Sequence, residues 1–199
     1  GSALTATGVN GETFTVSGAG DTTNLATKNV QTNQALASVT GLAVGTGNTG
    51  AALATNYNSL ATAGSAVSVT AASLTASTSN VVKTYSGDTT ALGTAVVTAG
   101  TLFGTDSLSG GTFAFTTKDV GLANKTVTVS GVSVSDGNSG NNYTLTQANN
   151  TTSTINPAAL TLSGTRVYNG TTFFAGSALT ATGVNGETFT VSGAGDATT

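Results

Sequence analysis

The sequence predicts an all-β fold of tandem small antiparallel β-sandwich-like modules arranged in a rod. Short segments alternate apolar and hydroxyl side chains with the period of two that a half-buried strand requires: TFTVS (Thr13–Ser17), TFAFT (Thr112–Thr116) and TVTVS (Thr126–Ser130). Gly, Asn or Asp bound these segments, as is typical of short antiparallel strands. No dozen-residue segment places apolar residues at helical spacing.

One alternative within this class is a β-grasp-like module, which would carry one short helix. The segment Asn24–Leu36 is where that helix would lie. Because the segment is rich in Thr and Asn, which are poor helix formers, the sandwich-like module is the first expectation.

The alternation changes phase at a glycine. In VTVSGVSV, apolar residues occupy odd positions up to Val129 and even positions from Val132, so the pattern slips at Ser130-Gly131. A β-bulge or a tight turn at the glycine would produce this slip. The same slip occurs ninety residues earlier, at Thr40-Gly41, which indicates that the two regions share a fold.

The chain contains an exact internal repeat. The segment GSALTATGVNGETFTVSGAGD occupies residues 1–21 and recurs at 176–196, a period of 175 residues. Pairs of matching motifs ninety or eighty-six residues apart divide the period into two diverged modules. We therefore predict module A without its first strand at 1–71, module B at 72–157, and the start of the next module A at 158–199. Such identity indicates recent duplication and favours a protein selected for length.

Composition excludes several classes of function. Only 7% of the residues are charged, against about 25% in an average domain. A net charge of −3 is too weak and of the wrong sign for nucleic acid, and no apolar run is long enough for membrane insertion. The chain has no His and no Cys, so the usual nucleophile–base pairs and zinc sites cannot form. We expect no enzyme, no catalytic residues and no cofactor.

One loop has the oxygen-rich composition of a calcium site. Asp136, Asn138 and Asn141 are its weak candidate ligands. The segment lacks the closing Glu and the Gly position of an EF-hand, so an Asx-turn loop without metal is the preferred interpretation.

Tyrosines recur at equivalent positions of the modules: Tyr57, Tyr85, Tyr143 and Tyr168. This recurrence favours core packing with each hydroxyl bonded to a neighbouring loop, and a stacking platform for sugar is the alternative. The cations Lys83 and Arg166 precede two of these tyrosines and are expected to cap a strand in solvent.

Five Asn-x-Ser/Thr sequons mark candidate glycosylation sites on an extracellular surface, at Asn124, Asn142, Asn149, Asn150 and Asn169.

Four motifs follow one another in module B: KTYSGDTT (83–90), KDVGLANKTVTVSG (118–131), NNYTL (141–145) and INPAALTL (155–162). Their succession resembles the YDG-repeat modules of filamentous-haemagglutinin-like bacterial adhesins, which are exported by two-partner secretion. Module A is a looser match, with VYNGTT at 167–172. The motif residues of the two copies are Tyr85, Gly87, Tyr143, Tyr168 and Gly170, and the Asp of the family motif is replaced by Ser86 and Asn169.

The resemblance implies a protein of the bacterial cell surface or secreted matrix. We expect a structural repeat segment that acts as a stalk or spacer in cell attachment or biofilm. Its expected partners are neighbouring repeats, including copies that join head to tail into filaments. The alternative is a repeat that itself binds carbohydrate or a host surface protein. An ice-binding surface is the least favoured function. Ice-binding solenoids repeat Thr-x-Thr pairs at short fixed intervals, whereas the pairs in this chain are spaced irregularly.

Overall fold

The computed structural model describes residues 4–48 and 52–193, and its fold is all-β, as predicted. Strands account for 45% of the residues, and the described chain has no helix of seven or more residues. Its helical turns are short 3-10 segments, at Val9–Gly11, Ala54–Asn56, Gly176–Ala178 and Val184–Gly186.

The helix of the β-grasp alternative is absent from Asn24–Leu36, and this alternative is wrong. The segment instead contains strand Gln31–Gln34. At its start, the side-chain amide of Asn24 donates to the backbone carbonyls of Ser38 (3.1 Å) and Thr40 (3.0 Å). Asn side chains that bond to backbone in this way compete with helix formation.

The chain divides into two compact units, Gly1–Ala72 and Ser73–Thr199. The predicted division at 1–71, 72–157 and 158–199 stays a prediction, and the ends of both repeated segments, 1–3 and 194–196, lie outside the described residues.

The described residues of the first unit, 4–48 and 52–72, contain five complete strands: β1 (Thr5–Thr7), β2 (Thr13–Ser17), β3 (Gln31–Gln34), β4 (Ala43–Gly47) and β5 (Val67–Val69). Strands β1, β2 and β4 form an antiparallel sheet in that order, and β3 pairs antiparallel with β5. Phe14 on β2 is buried, and its ring meets the edge of Tyr57 at 5.1 Å between centroids. This aromatic pair anchors the small sheet.

Ten more strands lie between residue 72 and residue 193, the last described residue: β6 (Ala72–Thr78), β7 (Val82–Thr84), β8 (Ala95–Ala99), β9 (Ser107–Phe115), β10 (Gly121–Ser135), β11 (Tyr143–Gln147), β12 (Asn150–Asn156), β13 (Thr161–Gly164), β14 (Leu179–Thr182) and β15 (Thr188–Thr190). They form sheets in the orders β7-β12-β10-β9, β11-β6-β8 and β13-β14-β15. The first of these sheets is mixed, because β7 runs parallel to β12.

In the described part of the chain, the core of module B includes two clusters of buried side chains. One consists of Val81, Phe115, Val127 and Ile155. The other joins Ala76 of β6 to Val129 and Val132 of β10. The sheet β11-β6-β8 and the sheet β7-β12-β10-β9 therefore face each other across this cluster. This is the two-layer packing expected of a sandwich-like module.

The phase slip at Gly131 arises without a bulge. Ser130 pairs with Thr112 and Val132 pairs with Gly110, so the β9–β10 register continues unbroken. Gly131 and Gly110 both adopt positive φ, +68° in each case, which is a left-handed conformation that favours glycine. The glycines change the backbone direction locally, so the buried side chains change from odd-numbered positions, ending at Val129, to even-numbered positions, beginning at Val132.

The repeated sequence forms the same hairpin in both places where it occurs. Ala6 pairs with Phe14 between β1 and β2, and Ala181 pairs with Phe189 between β14 and β15. Strand β13 pairs along the other edge of β14. The described part of the repeat therefore forms the same hairpin register at both positions in the chain.

Candidate functional site around the tyrosine motifs

The Tyr-Ser-Gly-Asp motif of module B forms a turn around a cation. Lys83 Nζ donates to the carboxylate of Asp88 at 2.9 Å and to the carbonyl of Thr90 at 3.1 Å. It also lies 5.6 Å from the centre of the Phe115 ring. The side chain of Lys83 is only 16% exposed, so it does not cap a strand in solvent as expected.

The carboxylate of Asp88 organises the same turn. It accepts hydrogen bonds from the hydroxyl and from the backbone N–H of Thr90, the latter at 2.8 Å. The hydroxyl of Thr90, followed by the ammonium of Lys83, holds the pKa of Asp88 well below its usual value. The motif is therefore an Asx turn with an ion pair, in which the positive charge of Lys83 and the negative charge of Asp88 neutralise each other.

The equivalent turn of the next module has the same design with different residues. Arg166 donates to Asn169 Oδ1 at 2.7 Å and to the carbonyl of Thr171 at 2.6 Å, and its guanidinium lies 5.8 Å from the Phe174 ring centre. Relative to the tyrosine, the Asx residue sits two positions earlier than in module B. Asn169 thus occupies the position of the missing family Asp, which in module B is Ser86.

The motif glycines share a conformation and differ in their surroundings. Gly87 has φ +76° and Gly170 has φ +77°. A Cβ on Gly87 would lie 1.7 Å from the side-chain nitrogen of Asn185, whereas a Cβ on Gly170 would have no neighbour within 4 Å. Gly87 is therefore required by a close contact as well as by its backbone.

Tyr143 connects strand β11 to the turn that precedes β9. Its hydroxyl accepts from the backbone N–H of Phe103 at 2.9 Å and donates to Asp106 Oδ2 at 2.7 Å. Burial, together with the bond to Asp106, raises the pKa of Tyr143. We call this arrangement, in which one tyrosine hydroxyl bridges the first and last residues of a turn, the tyrosine–acid latch.

Module A contains the same latch. The hydroxyl of Tyr57 accepts from Val9 N at 3.1 Å and donates to the carboxylate of Glu12. The bond to Glu12 is the main cause of the raised pKa of Tyr57. Both turns contain a glycine at positive φ, Gly11 and Gly104. The acids of the latch were not predicted, although the recurring apolar–x–x–acid spacing in VNGE and FGTD was a visible signal.

Tyr85 and Tyr168, the tyrosines of the family motif, have different environments. Tyr85 is partly buried, and its hydroxyl donates to Glu187 Oε1 at 3.2 Å. Tyr168 is 87% exposed. Equivalent positions in the sequence therefore do not have equivalent contacts in this chain.

Tyr85 lines a cleft of about 440 Å³ between module B and the hairpin β14–β15. Its lining combines aromatic and aliphatic side chains with two carboxylates: Tyr85, Val120, Leu160, Phe189, Asp119 and Glu187. The two carboxylates are far apart in the sequence, so a linear analysis did not bring them together. An aromatic cleft with carboxylates has the chemistry to hold a polar ligand such as a sugar.

The candidate calcium loop is organised by one carboxylate. Asp136 is buried and accepts backbone N–H bonds from Asn138 (2.7 Å), Gly140 (2.8 Å) and Asn142 (2.9 Å). Desolvation raises the pKa of Asp136, but these bonds outweigh it, and the pKa lies below its usual value. Asn141 donates to the carbonyl of Asn138 at 2.8 Å. The loop therefore has the geometry of an Asx turn.

No cluster of three or more His, Cys, Asp or Glu side chains able to hold a metal occurs in the described part of the chain. Its helices are also all too short to cross a lipid bilayer.

The five sequon asparagines lie in different surroundings. Asn124, Asn149 and Asn169 are exposed. Asn142 and Asn150 are partly buried, and Asn150 Nδ2 donates to the carbonyl of Thr78 at 3.1 Å and to Asn80 Oδ1 at 2.9 Å. An attached sugar at Asn150 would displace these bonds.

A YDG domain is found at residues 69–154, from comparison with protein-family models. No significant match was found among curated proteins or among solved structures.

Proposed function

We propose that this chain is a structural repeat segment of an extracellular bacterial adhesin or matrix fibre, and that it acts as a stalk or spacer. One observation carries the proposal: an identical segment, repeated after 175 residues, forms the same hairpin in both copies. A part that is repeated without change serves a protein that gains reach with copy number.

The use of polar groups supports a structural role. Lys83, Asp88, Asp136 and Tyr143 all bond to loops of their own module. Among the described residues, no buried side-chain nitrogen or oxygen lacks a hydrogen-bond partner. Networks that are fully satisfied in this way rigidify a fold.

The YDG domain at 69–154 supports a location at the bacterial surface, because its motifs resemble those of adhesin repeats. Two-partner secretion and a biofilm or attachment role are part of this proposal. The bacterial cell surface or secreted matrix is the location that it requires.

Self-association is a further part of the proposal. Strand β13 pairs with β14, whereas β1, which repeats the sequence of β14, pairs within the described residues only with β2. The edge that accepts a strand in one copy has no partner strand among the described residues in the other. A β13 strand from a second chain would complete the β1 sheet, and such open contacts build filaments.

Two measurements test the proposal. Electron microscopy of chains with two, four and six periods should show length increasing by a constant step per period; a compact particle would contradict the spacer function.

Light scattering over a dilution series tests the self-association and should show mass increasing with concentration. A mass that stays at 19.1 kDa at high concentration would contradict the strand exchange but not the spacer.

The cleft beside Tyr85 favours a second candidate function, in which the repeat binds carbohydrate or a host surface protein. Tyr85, Asp119, Glu187 and Phe189 provide the aromatic and acidic groups that a sugar would contact. Calorimetric titration of a single chain with neutral mono- and disaccharides tests it. Binding that is lost in Phe189→Ala would favour this function over a purely mechanical one.

A further inference from the structure

We propose that the Tyr-x-Gly motif is the joint between consecutive modules. In this arrangement, Tyr85 and Gly87 of module B hold the turn Val184–Gly186 and the adjoining Glu187 at the start of the next module A. The inference deepens the proposed spacer function and rests on it, because a joint that fixes successive modules gives a stalk its stiffness.

Three contacts define the joint. The hydroxyl of Tyr85 donates to Glu187 Oε1 at 3.2 Å, and Asn185 Nδ2 approaches the carbonyl of Ser86 at 3.5 Å. Gly87 lies so close to Asn185 that a Cβ would collide with its side chain. These three successive motif residues therefore all face one turn of the following module.

Module B fixes Tyr85 from the other side. The backbone N–H of Tyr85 donates to the carbonyl of Asn156 at 2.8 Å, at the end of β12. The next residues, Pro157 to Leu160, lead into the following module and line the same cleft as Tyr85 and Glu187. Tyr85 is thus bonded both to the last strand of its own module and to Glu187 of the next, on either side of the connecting segment.

The glutamate of the repeated sequence meets a different tyrosine in each of its two copies. Glu12 occupies the same position of the repeat as Glu187, and its carboxylate accepts the hydroxyl of Tyr57 within module A. Glu187 accepts the hydroxyl of Tyr85 from the preceding module. A carboxylate has acceptor capacity for both bonds. In an array, each such glutamate would bridge the latch tyrosine of its own module and the motif tyrosine of the module before it.

Tyr168 provides a matched control within the same chain. It occupies the same motif position as Tyr85 but is 87% exposed. Tyr85→Phe and Tyr168→Phe remove the same hydroxyl group, one inside the joint and one in solvent.

Hydrogen exchange of the full chain, followed by mass spectrometry, tests the joint. In Tyr85→Phe, amides of β14, β15 and the turn Val184–Gly186 should exchange about fivefold faster, the change expected for the loss of one hydrogen bond. Amides of β10 in the module B core should not change, and Tyr168→Phe should match the unaltered chain. Unchanged exchange at 179–190 in Tyr85→Phe would overturn the joint.

A second variant approaches the joint from the other module. Glu187→Ala removes the acceptor and leaves module B intact, so it should also accelerate exchange at Ser86 and Gly87; unchanged exchange there would count against the joint.

Failure of the joint can be distinguished from failure of the spacer function. If arrays of Tyr85→Phe chains remain as extended and as stiff as the original, the joint is wrong while the spacer stands. If exchange changes as expected but arrays are compact, the spacer is wrong while the joint stands.

Discussion

The hydroxyl of Tyr143 donates to Asp106 Oδ2 at 2.7 Å, across 37 residues of sequence, while it accepts from the backbone N–H of Phe103 at 2.9 Å. The pair formed by Tyr57 and Glu12 repeats this relationship in module A. The two modules have diverged in sequence, yet both keep one tyrosine, one acid and one left-handed glycine at the turn. The latch is therefore a shared structural element of the two modules.

Removing the latch hydroxyl should destabilise module B. In Tyr143→Phe the backbone N–H of Phe103 and the carboxylate of Asp106 both lose the hydroxyl as a partner, at bonds that are partly buried. We expect the Tm to fall by about 5 °C in calorimetry. Tyr168→Phe, at an exposed position, should leave the Tm unchanged. Equal Tm values for the two variants would show that the latch does not stabilise the module.

A buried leucine and an exposed leucine should respond differently to the same truncation. Leu74 is 2% exposed and Leu92 is 97% exposed. Leu74→Ala leaves a cavity and should lower the free energy of unfolding by about 3 kcal/mol in urea titrations. Leu92→Ala should change it by less than about 0.5 kcal/mol. Similar losses for both variants would contradict the packing described for β6.

Stability should decrease in acid through Asp136. Its folded pKa lies below its usual value, so its contribution is present above about pH 4, where an unfolded Asp ionises, and is lost as the pH falls through the folded value. Urea unfolding at intervals from pH 7 to pH 2 should show this decrease. Asp136→Asn should be less stable than the original chain at pH 7 and should depend less on pH.

The exposed carboxylate of Asp119 is the control for this experiment. Asp119→Asn should keep both the stability at pH 7 and the acid dependence of the original chain. If Asp136→Asn loses as much stability on acidification as the original chain, the loop is not held by the Asp136 carboxylate.

Any sugars on the native protein should avoid Asn150. Its amide nitrogen donates two hydrogen bonds inside module B, to Thr78 and Asn80, whereas Asn124 is exposed. Intact-mass measurement followed by peptide mapping should find added sugar on the peptide containing Asn124 and none on Asn150. A protein without added mass would rule out glycosylation, and modification at Asn150 would contradict the local structure.

Much of the fold was predictable because it depends on neighbouring residues. The period-two alternation in TFTVS and TVTVS identifies strands, and the slip at Ser130-Gly131 falls where β10 carries a glycine at positive φ, with Val129 and Val132 buried in one cluster on either side of it. The sequence allowed a bulge or a tight turn as the cause of this slip, whereas in the structure the β9–β10 register continues and the opposing strand carries Gly110 at the same φ as Gly131.

The sequence by itself determined the all-β class, the repeat period and the position of the motif tyrosines, because these follow from local pattern and from identity between segments. Only the tertiary structure decided which acid each tyrosine meets. Tyr85 and Glu187 are 102 residues apart. The ammonium of Lys83 lies inside a turn and over the ring of Phe115, not in solvent. Such contacts depend on how sheets pack, and no local periodicity records which distant side chains that packing brings within hydrogen-bond distance.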